Sequence, residues 1–283
     1  MEFWVNNNLT YAFIGAGNMS GAILAGMIQN GVAPTQIIAT NRSAEKQSKL
    51  HHDYGVTTEL DNARAIEKAD VVILGVKPQM MMDLLAELTE TGVSFKDKLV
   101  ITVAAGLLSQ SYKNILGEVR FIRCMPNTPS MIGLGMSGLF NASDVSVFSA
   151  QQIKQDNLIT ETLFAAIGKS IWLEQESQID EVAAISGSGP AYFFLFMETM
   201  INKAREFGFS EAEAKDMVLQ TANGAAQMAY NSELDVKQLR KNVTSPGGST
   251  ASAIEVFEQK NLQNTVDLAL DAAVQRAKEL SKL

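Results

Sequence analysis

The chain has 283 residues, of which 46% are hydrophobic and 19% charged, with a formal net charge of -8 and a pI near 4.9. That length favours two domains, and that composition supports a sizeable core with little disorder. An acidic surface does not attract nucleic acid or an anionic membrane, so neither is an expected partner, and an anionic ligand must be drawn by a local site.

The N-terminus, MEFWVNNNLT, has an acidic second residue and no basic stretch before an apolar run, so it is a poor secretory signal. No uninterrupted apolar run reaches the roughly 18 residues of a membrane span, and a cytoplasmic protein is expected. The single cysteine, Cys124, fits a reducing compartment and excludes a multi-cysteine metal centre; no metal is expected.

From residue 9 to 174, short β-rich runs alternate with helical patterns. The runs are LTYAFIG (9–15), QIIATN (36–41), DVVILGVK (70–77), KLVITVAAG (98–106), EVRFIRCM (118–125), GMSGLFN (135–141) and KSIWLE (169–174). Nearly continuous apolar strands separated by helices imply a mostly parallel sheet covered on both faces. The expectation for residues 1–174 is therefore a Rossmann-type, doubly wound dinucleotide-binding domain.

The first run leads into AFIGAGNMSGAI (12–23), which places Gly15, Gly17 and the small Ser20 at G-x-G-x-x-small spacing between a strand and a helix. The first glycine permits the tight turn, the second lets a pyrophosphate approach the backbone, and the third small residue lets the helix pack closely. The second run ends in TNRS (40–43). An acidic residue there would bind the 2'-hydroxyl of NAD, whereas Asn41, Arg42 and Ser43 suit a 2'-phosphate, so NADPH is the expected cofactor. Arg42 as a solvated helix-start residue is the open alternative. GVKP (75–78) and VAAG (103–106) close the next two strands, so Val76, Lys77, Pro78, Ala104 and Ala105 are candidate cofactor walls, although Ala-Ala-Gly also suits plain close packing. In MPNTP (125–129), Asn127 and Thr128 either meet the nicotinamide end or simply turn the chain. His51 and His52, the only histidines, fall at an expected helix end and read as exposed residues complementing its dipole.

Beyond residue 174 the pattern is helical, an all-α domain over 175–283. Ser177 with Asp180 and Ser210 with Glu213 are candidate capping boxes, and Gly208 is a candidate helix stop. SGSGPAY (186–192) reads as a break between helices with Pro190 at an early helical position. The following AYFFLFMETMINKA (191–204) is apolar almost all round, which calls for burial either by a second subunit or within its own domain. SPGGST (245–250) resembles a phosphate loop but lacks the lysine of a nucleoside triphosphate site. Adjacent glycines running into a helix start suit one small carboxylate. Ser249 and Thr250 as simple helix caps are the alternative.

A hydroxy-acid dehydrogenase needs a group to move the hydroxyl proton, and none is evident. Reduction of a cyclic imine needs it less, because a protonated C=N already carries the proton its nitrogen keeps. Taken together, IGAGNM, NRS, VKP, VAAG, MPNTP, AISGSGPAY and VTSPGGSTASAI, in order from residue 14 to 254, resemble the pyrroline-5-carboxylate reductase family. The resemblance implies NADPH- or NADH-dependent reduction of 1-pyrroline-5-carboxylate to L-proline. It also implies a helical domain that interlocks with a second subunit into a homodimer, with dimers that often assemble into decamers. On the substrate side it assigns the carboxylate to Ser245, Gly248 and Ser249, the ring nitrogen to Thr250 as the catalytic contact, and a place near substrate to Glu176. For the cofactor it points to Ile14, Gly15, Ala16, Gly17, Asn18 and Met19, to Asn41, Arg42, Ser43 and Asn62, to the VKP and VAAG ends, and to Asn242 from a partner subunit. The competing readings are an NADP(H)-binding sensor without turnover and a β-hydroxyacid dehydrogenase-like oxidoreductase, whose catalytic lysine has no counterpart in SGSGPAY.

Overall fold

Among residues 8–280, which the computed structural model describes, eight strands form one sheet. They are β1 (Tyr11–Ile14), β2 (Ile37–Thr40), β3 (Thr57–Glu59), β4 (Val71–Leu74), β5 (Leu99–Thr102), β6 (Arg120–Met125), β7 (Gly135–Asn141) and β8 (Gly168–Trp172), in the spatial order β3-β2-β1-β4-β5-β6-β7-β8. Every neighbouring pair is parallel except β6 with β7. This is the expected doubly wound sheet, with its order reversing between β1 and β4. The strand that the apolar runs did not reveal is β3, a three-residue edge whose side chains are exposed or half-buried.

The alternation of β1 shows how the core divides. Tyr11 and Phe13 face Ile23, Leu24 and Met27 of α1 (Asn18–Gln29). Ala12 and Ile14 face the opposite layer, with Ile66 of α3 (Asn62–Glu67) and with Met81 and Leu85 of α4 (Pro78–Glu90). Each large apolar side chain buried this way contributes about 1.5–3 kcal/mol. Between these helices lies α2 (Ala44–Tyr54), and α5 (Ser109–Leu116) and α6 (Ala150–Ala165) complete the helices up to β8. Cys124 on β6 belongs to the first layer at 3% exposure, and burial pushes its thiol pKa well up.

After β8 come α7 (Gln178–Val182), α8 (Gly189–Glu206), α9 (Glu211–Asn231), α10 (Val236–Asn242), α11 (Ser249–Gln259) and α12 (Leu262–Leu280). By their internal contacts, the residues up to Ser188 and those from Val274 form one compact unit, and Gly189–Ala273 form the other. The Ser210 box is present: the Glu213 N–H donates to the serine hydroxyl at 3.3 Å, and the Glu213 carboxylate accepts the Ser210 N–H at 2.9 Å. The Ser177 box is absent, because that residue has helical φ -59° and ψ -26° rather than the extended backbone a capping hydroxyl needs. Gly208, at φ +98°, lies just past the end of α8 as expected.

SGSGPAY is not an open break. A π-helical turn spans Ala183–Gly187, with the Ser188 N–H donating to the Ala183 carbonyl at 2.8 Å. Pro190 has no N–H to return to Ser186 four residues earlier, which favours the wider turn. The freed Ser186 carbonyl accepts from Asn127 Nδ2 at 3.0 Å. Within the second unit α8 is not covered: Phe193, Phe194 and Leu195 are 68%, 65% and 62% exposed, so burial within its own domain is not what the fold provides.

Replacing Asn127 by alanine should leave the Ser186 carbonyl without its donor and lower stability by about 1–3 kcal/mol. Urea unfolding of the two proteins side by side measures this, and an unchanged midpoint would contradict it.

Candidate active site

The glycine turn is built by contacts that leave one side of it open. Gly15 has φ +82°, and a β-carbon there would lie 2.5 Å from Val76 Cγ1, so no other residue fits. At Gly17 an added β-carbon would meet nothing within 4 Å, so protein packing does not require this glycine and the space beside it suits a ligand approaching the backbone. Gly17 is also the N-cap of α1 and supplies no side-chain cap, leaving first-turn N–H groups to meet an anion. Ser20 does more than stay small: its hydroxyl donates to the Gly15 carbonyl at 3.2 Å.

The end of β2 holds this turn in place. Thr40 Oγ1 accepts from the Gly15 N–H at 3.2 Å, the Thr40 carbonyl accepts from the Ala16 N–H at 2.7 Å, and Asn41 Nδ2 donates to the Ala16 carbonyl at 2.9 Å. Asn41 Oδ1 accepts the Ser43 N–H at 3.0 Å, so the amide of Asn41 is engaged by the protein itself. Thr40 was not singled out in the sequence, although a threonine closing an apolar strand beside the turn is a readable signal.

A cavity of about 760 Å³ opens at the β1/β4 reversal, and Gly17, Asn41, Arg42, Asn62, Val76 and Lys77 border it. Exposed Arg42 extends over it with Nη2 3.2 Å from Met80 Sδ. Ser43 caps α2, and Pro78 opens α4. Ala16 and Asn18 border a second cavity of about 610 Å³ against α2. The Ile14 side chain is fully buried and Met19 packs partly on the core, so these two can reach a cofactor chiefly through their backbone. Ala104 is buried, Ala105 is exposed, and neither borders the two cavities. Asn127 is buried, its Oδ1 accepting the Met136 N–H at 2.9 Å while its Nδ2 serves Ser186. Of the two histidines, His51 faces the Val56 carbonyl at 2.9 Å and His52 is largely exposed.

Glu176 is held inside the first unit. Its carboxylate accepts the Ser109 N–H at 2.6 Å, the Ser109 hydroxyl at 2.8 Å and Arg123 Nη1 at 2.5 Å. Burial raises its pKa, yet these donors outweigh that effect and keep the carboxyl below its ordinary range. The carboxylate thereby fixes the start of α5, directly after the VAAG strand end, to the buried guanidinium on β6. An arginine inside the apolar run FIRCM was the unread sign of this pairing.

In the second unit, Gly247 has φ +72° and the Gly248 N–H donates to the Ser245 carbonyl at 3.0 Å. Gly248 is the N-cap of α11, again without a side-chain cap, and a β-carbon there would lie 3.1 Å from the Ser245 carbonyl oxygen. Neither Ser249 nor Thr250 is the cap: they are the first two helical residues, and both are exposed. Ser245 is also exposed, so the loop presents hydroxyls and first-turn N–H groups together. Asn242 ends α10 and accepts from Gln238 Nε2 at 2.8 Å.

A doubly wound sheet with an open glycine turn at its reversal defines a dinucleotide-binding protein. Comparison with known proteins narrows this. Residues 176–280 match the family model described as pyrroline-5-carboxylate reductase dimerisation, and residues 10–106 match NADP oxidoreductase coenzyme F420-dependent. A pyrroline-5-carboxylate reductase of Vibrio alginolyticus is 45% identical over 96% of this chain and 97% of its own length. The solved structure of a pyrroline-5-carboxylate reductase from Coxiella burnetii superposes with TM-score 0.88 at 42% identity, covering 98% of this chain and 100% of that one. A Plasmodium falciparum pyrroline carboxylate reductase with NADP bound gives TM-score 0.82 at 27% identity over 97% of this chain and 98% of that one. The chain belongs to the pyrroline-5-carboxylate reductase family.

Because the folded pKa of Glu176 is depressed, its stabilising contribution is present above the unfolded value, about 4.5, and is lost as pH falls through the folded value. Glu176→Gln should therefore lower stability at pH 7 by about 3 kcal/mol, leaving Arg123 buried without its counter-charge. The gap to the parent should shrink in acid, which thermal unfolding at pH 7 and pH 3.5 would reveal.

Proposed function

We propose that this protein reduces the cyclic imine 1-pyrroline-5-carboxylate to L-proline, the last step of proline biosynthesis, with NADPH as donor and NADH as the alternative. The observation that carries the reading is the pairing of an open dinucleotide turn at Gly17 with an uncapped serine-glycine loop at 245–250, in a chain aligned with such reductases over nearly its whole length. Residues 1–174 form the dinucleotide-binding domain in this reading, and 175–283 bind substrate and form the dimer. Support comes from the two family matches, which fall on either side of that division.

The substrate carboxylate is held by the Ser245 hydroxyl and the Ser249 N–H against the bare backbone of Gly248, whose own N–H closes the loop on Ser245, and helix-end potential there compensates for a chain of net charge -8. Thr250 Oγ1 hydrogen-bonds the ring nitrogen, which enters protonated and keeps its proton, so no histidine is required. The dinucleotide, when bound, supplies the hydride that adds to the imine carbon. Arg42 and Ser43 receive the 2'-phosphate, while the N–H groups of Asn18 and Met19 receive the pyrophosphate, which the missing side chain of Gly17 lets approach. Glu176 acts through α5, its carboxylate being engaged by Ser109 and Arg123. Asn242 completes the cofactor site from a second copy. The uncovered apolar residues of α8 support a homodimer, and dimers build a decamer in the cytoplasm under the same proposal. No helix among the described residues is long and apolar enough to cross a membrane.

The test follows nicotinamide absorbance as purified protein meets 1-pyrroline-5-carboxylate, with NADPH and NADH in parallel. Oxidation with proline as product is expected; folded protein that binds NADPH without oxidising it would overturn the assignment. Thr250→Ala should lower kcat about tenfold to a hundredfold with NADPH affinity unchanged. Arg42→Ala should weaken NADPH about tenfold or more while changing NADH less than about twofold, and equal effects would remove the 2'-phosphate contact.

A further inference from the structure

Gln47 is the buried residue of α2, 8% exposed, on a helix whose remaining positions are half-buried or exposed. A polar amide occupies the place where an apolar contact would ordinarily anchor such a helix. Its Nε2 donates both hydrogens, to the Asn41 carbonyl at 2.7 Å and to the Glu59 carbonyl at 2.9 Å. Those carbonyls lie at the ends of adjacent parallel strands, Asn41 one residue past β2 and Glu59 the last of β3: the β2/β3 ladder reaches its last register pair at Thr40 and Glu59. Where the ladder stops, the two chains separate into different loops, and their carbonyls need a donor from elsewhere.

Both loops border the 760 Å³ cavity, the first with Asn41 and Arg42 and the second with Leu60, Asp61 and Asn62. The Glu59 carboxylate orders the second loop by accepting the Leu60 and Asp61 N–H groups at 3.0 and 3.2 Å. Asn41 passes the constraint on to the glycine turn through Ala16. We propose that Gln47 is a positioning residue for the adenosine end of the cofactor: one amide sets the spacing of the 41–43 and 59–62 loops and thereby places Arg42 and Ser43 on the 2'-phosphate. The inference rests on the dinucleotide reading above and adds to it a residue that borders neither cavity.

The geometry makes the effect selective. An apolar side chain of similar length leaves two carbonyls without donors, so the 41–43 loop shifts toward water. NADPH depends on two charged or hydroxyl side chains in that loop, whereas NADH presents only a hydroxyl to them.

Titration of nicotinamide fluorescence with NADPH and NADH tests this on the full chain. Gln47→Met should weaken NADPH about tenfold and NADH about threefold or less. In an Arg42→Ala background the same change should alter the NADPH to NADH ratio less than in the parent, since Gln47 and Arg42 act in series and only the Ser43 contact remains, and an undiminished effect would overturn the proposal. Equal weakening of both nucleotides would mark a purely structural role and overturn the proposal, as would unchanged affinity for both. Where the methionine variant fails to fold, Gln47→Asn retains a buried amide that is too short to bridge both carbonyls, and the same selective loss is expected. The titration needs no imine, so protein that binds NADPH without oxidising it overturns the reductase reading while the Gln47 comparison is still read from the same curves.

Discussion

A β-carbon on Gly15 would strike Val76, and this near-contact between the carboxyl ends of β1 and β4 is the constraint on which the cofactor half depends. The two strands pair in register from Tyr11 with Val71 to Ile14 with Leu74, and their chains then turn to opposite faces of the sheet. That divergence opens the crevice, while the positive φ of Gly15 keeps α1 aimed into it. Thr40, Asn41 and Ser20 all act on the same few atoms. Each satisfies a backbone group of Gly15 or Ala16 on the protein side, and the Gly17 N–H closes the turn on the Gly15 carbonyl at 2.8 Å, so that the N–H groups at the start of α1 stay available.

The second unit solves a related problem with the same material. An acidic protein that binds acidic ligands cannot rely on its overall field, and both candidate sites use backbone dipoles where a helix begins without a side-chain cap. Glycine serves as the N-cap in each case because it omits the side chain that would otherwise satisfy those donors. Basic side chains enter at the periphery, with Arg42 and Lys77 beside the larger cavity.

Much of this was legible in the sequence. Seven strands announced themselves as apolar runs, because strands covered on both faces must be apolar throughout. The edge strand Thr57–Glu59 did not, since with side chains exposed or half-buried it has no hydrophobic pattern to show. Gly15 and Gly17 were readable from spacing, but their different reasons, collision at one and open space at the other, needed coordinates. Asn127 and Glu176 illustrate the limit. Residue type and motif suggested contact with ligand, whereas their nearest partners lie within the chain, at Ser186 and Met136 for one and at Ser109 and Arg123 for the other. Such partners lie 9 to 67 residues away in sequence, beyond any local pattern.

The lone thiol of Cys124 has a use that its burial creates. It lies on β6, opposite Leu139 in the one antiparallel seam of the sheet, at 3% exposure among apolar side chains. An alkylating reagent reaches a thiolate only after that layer has parted, so at reagent concentrations where alkylation outpaces reclosing, labelling in native buffer proceeds at the rate at which the sheet opens. With no second cysteine to confuse the signal, the chain carries its own stopwatch for opening of the dinucleotide-binding half.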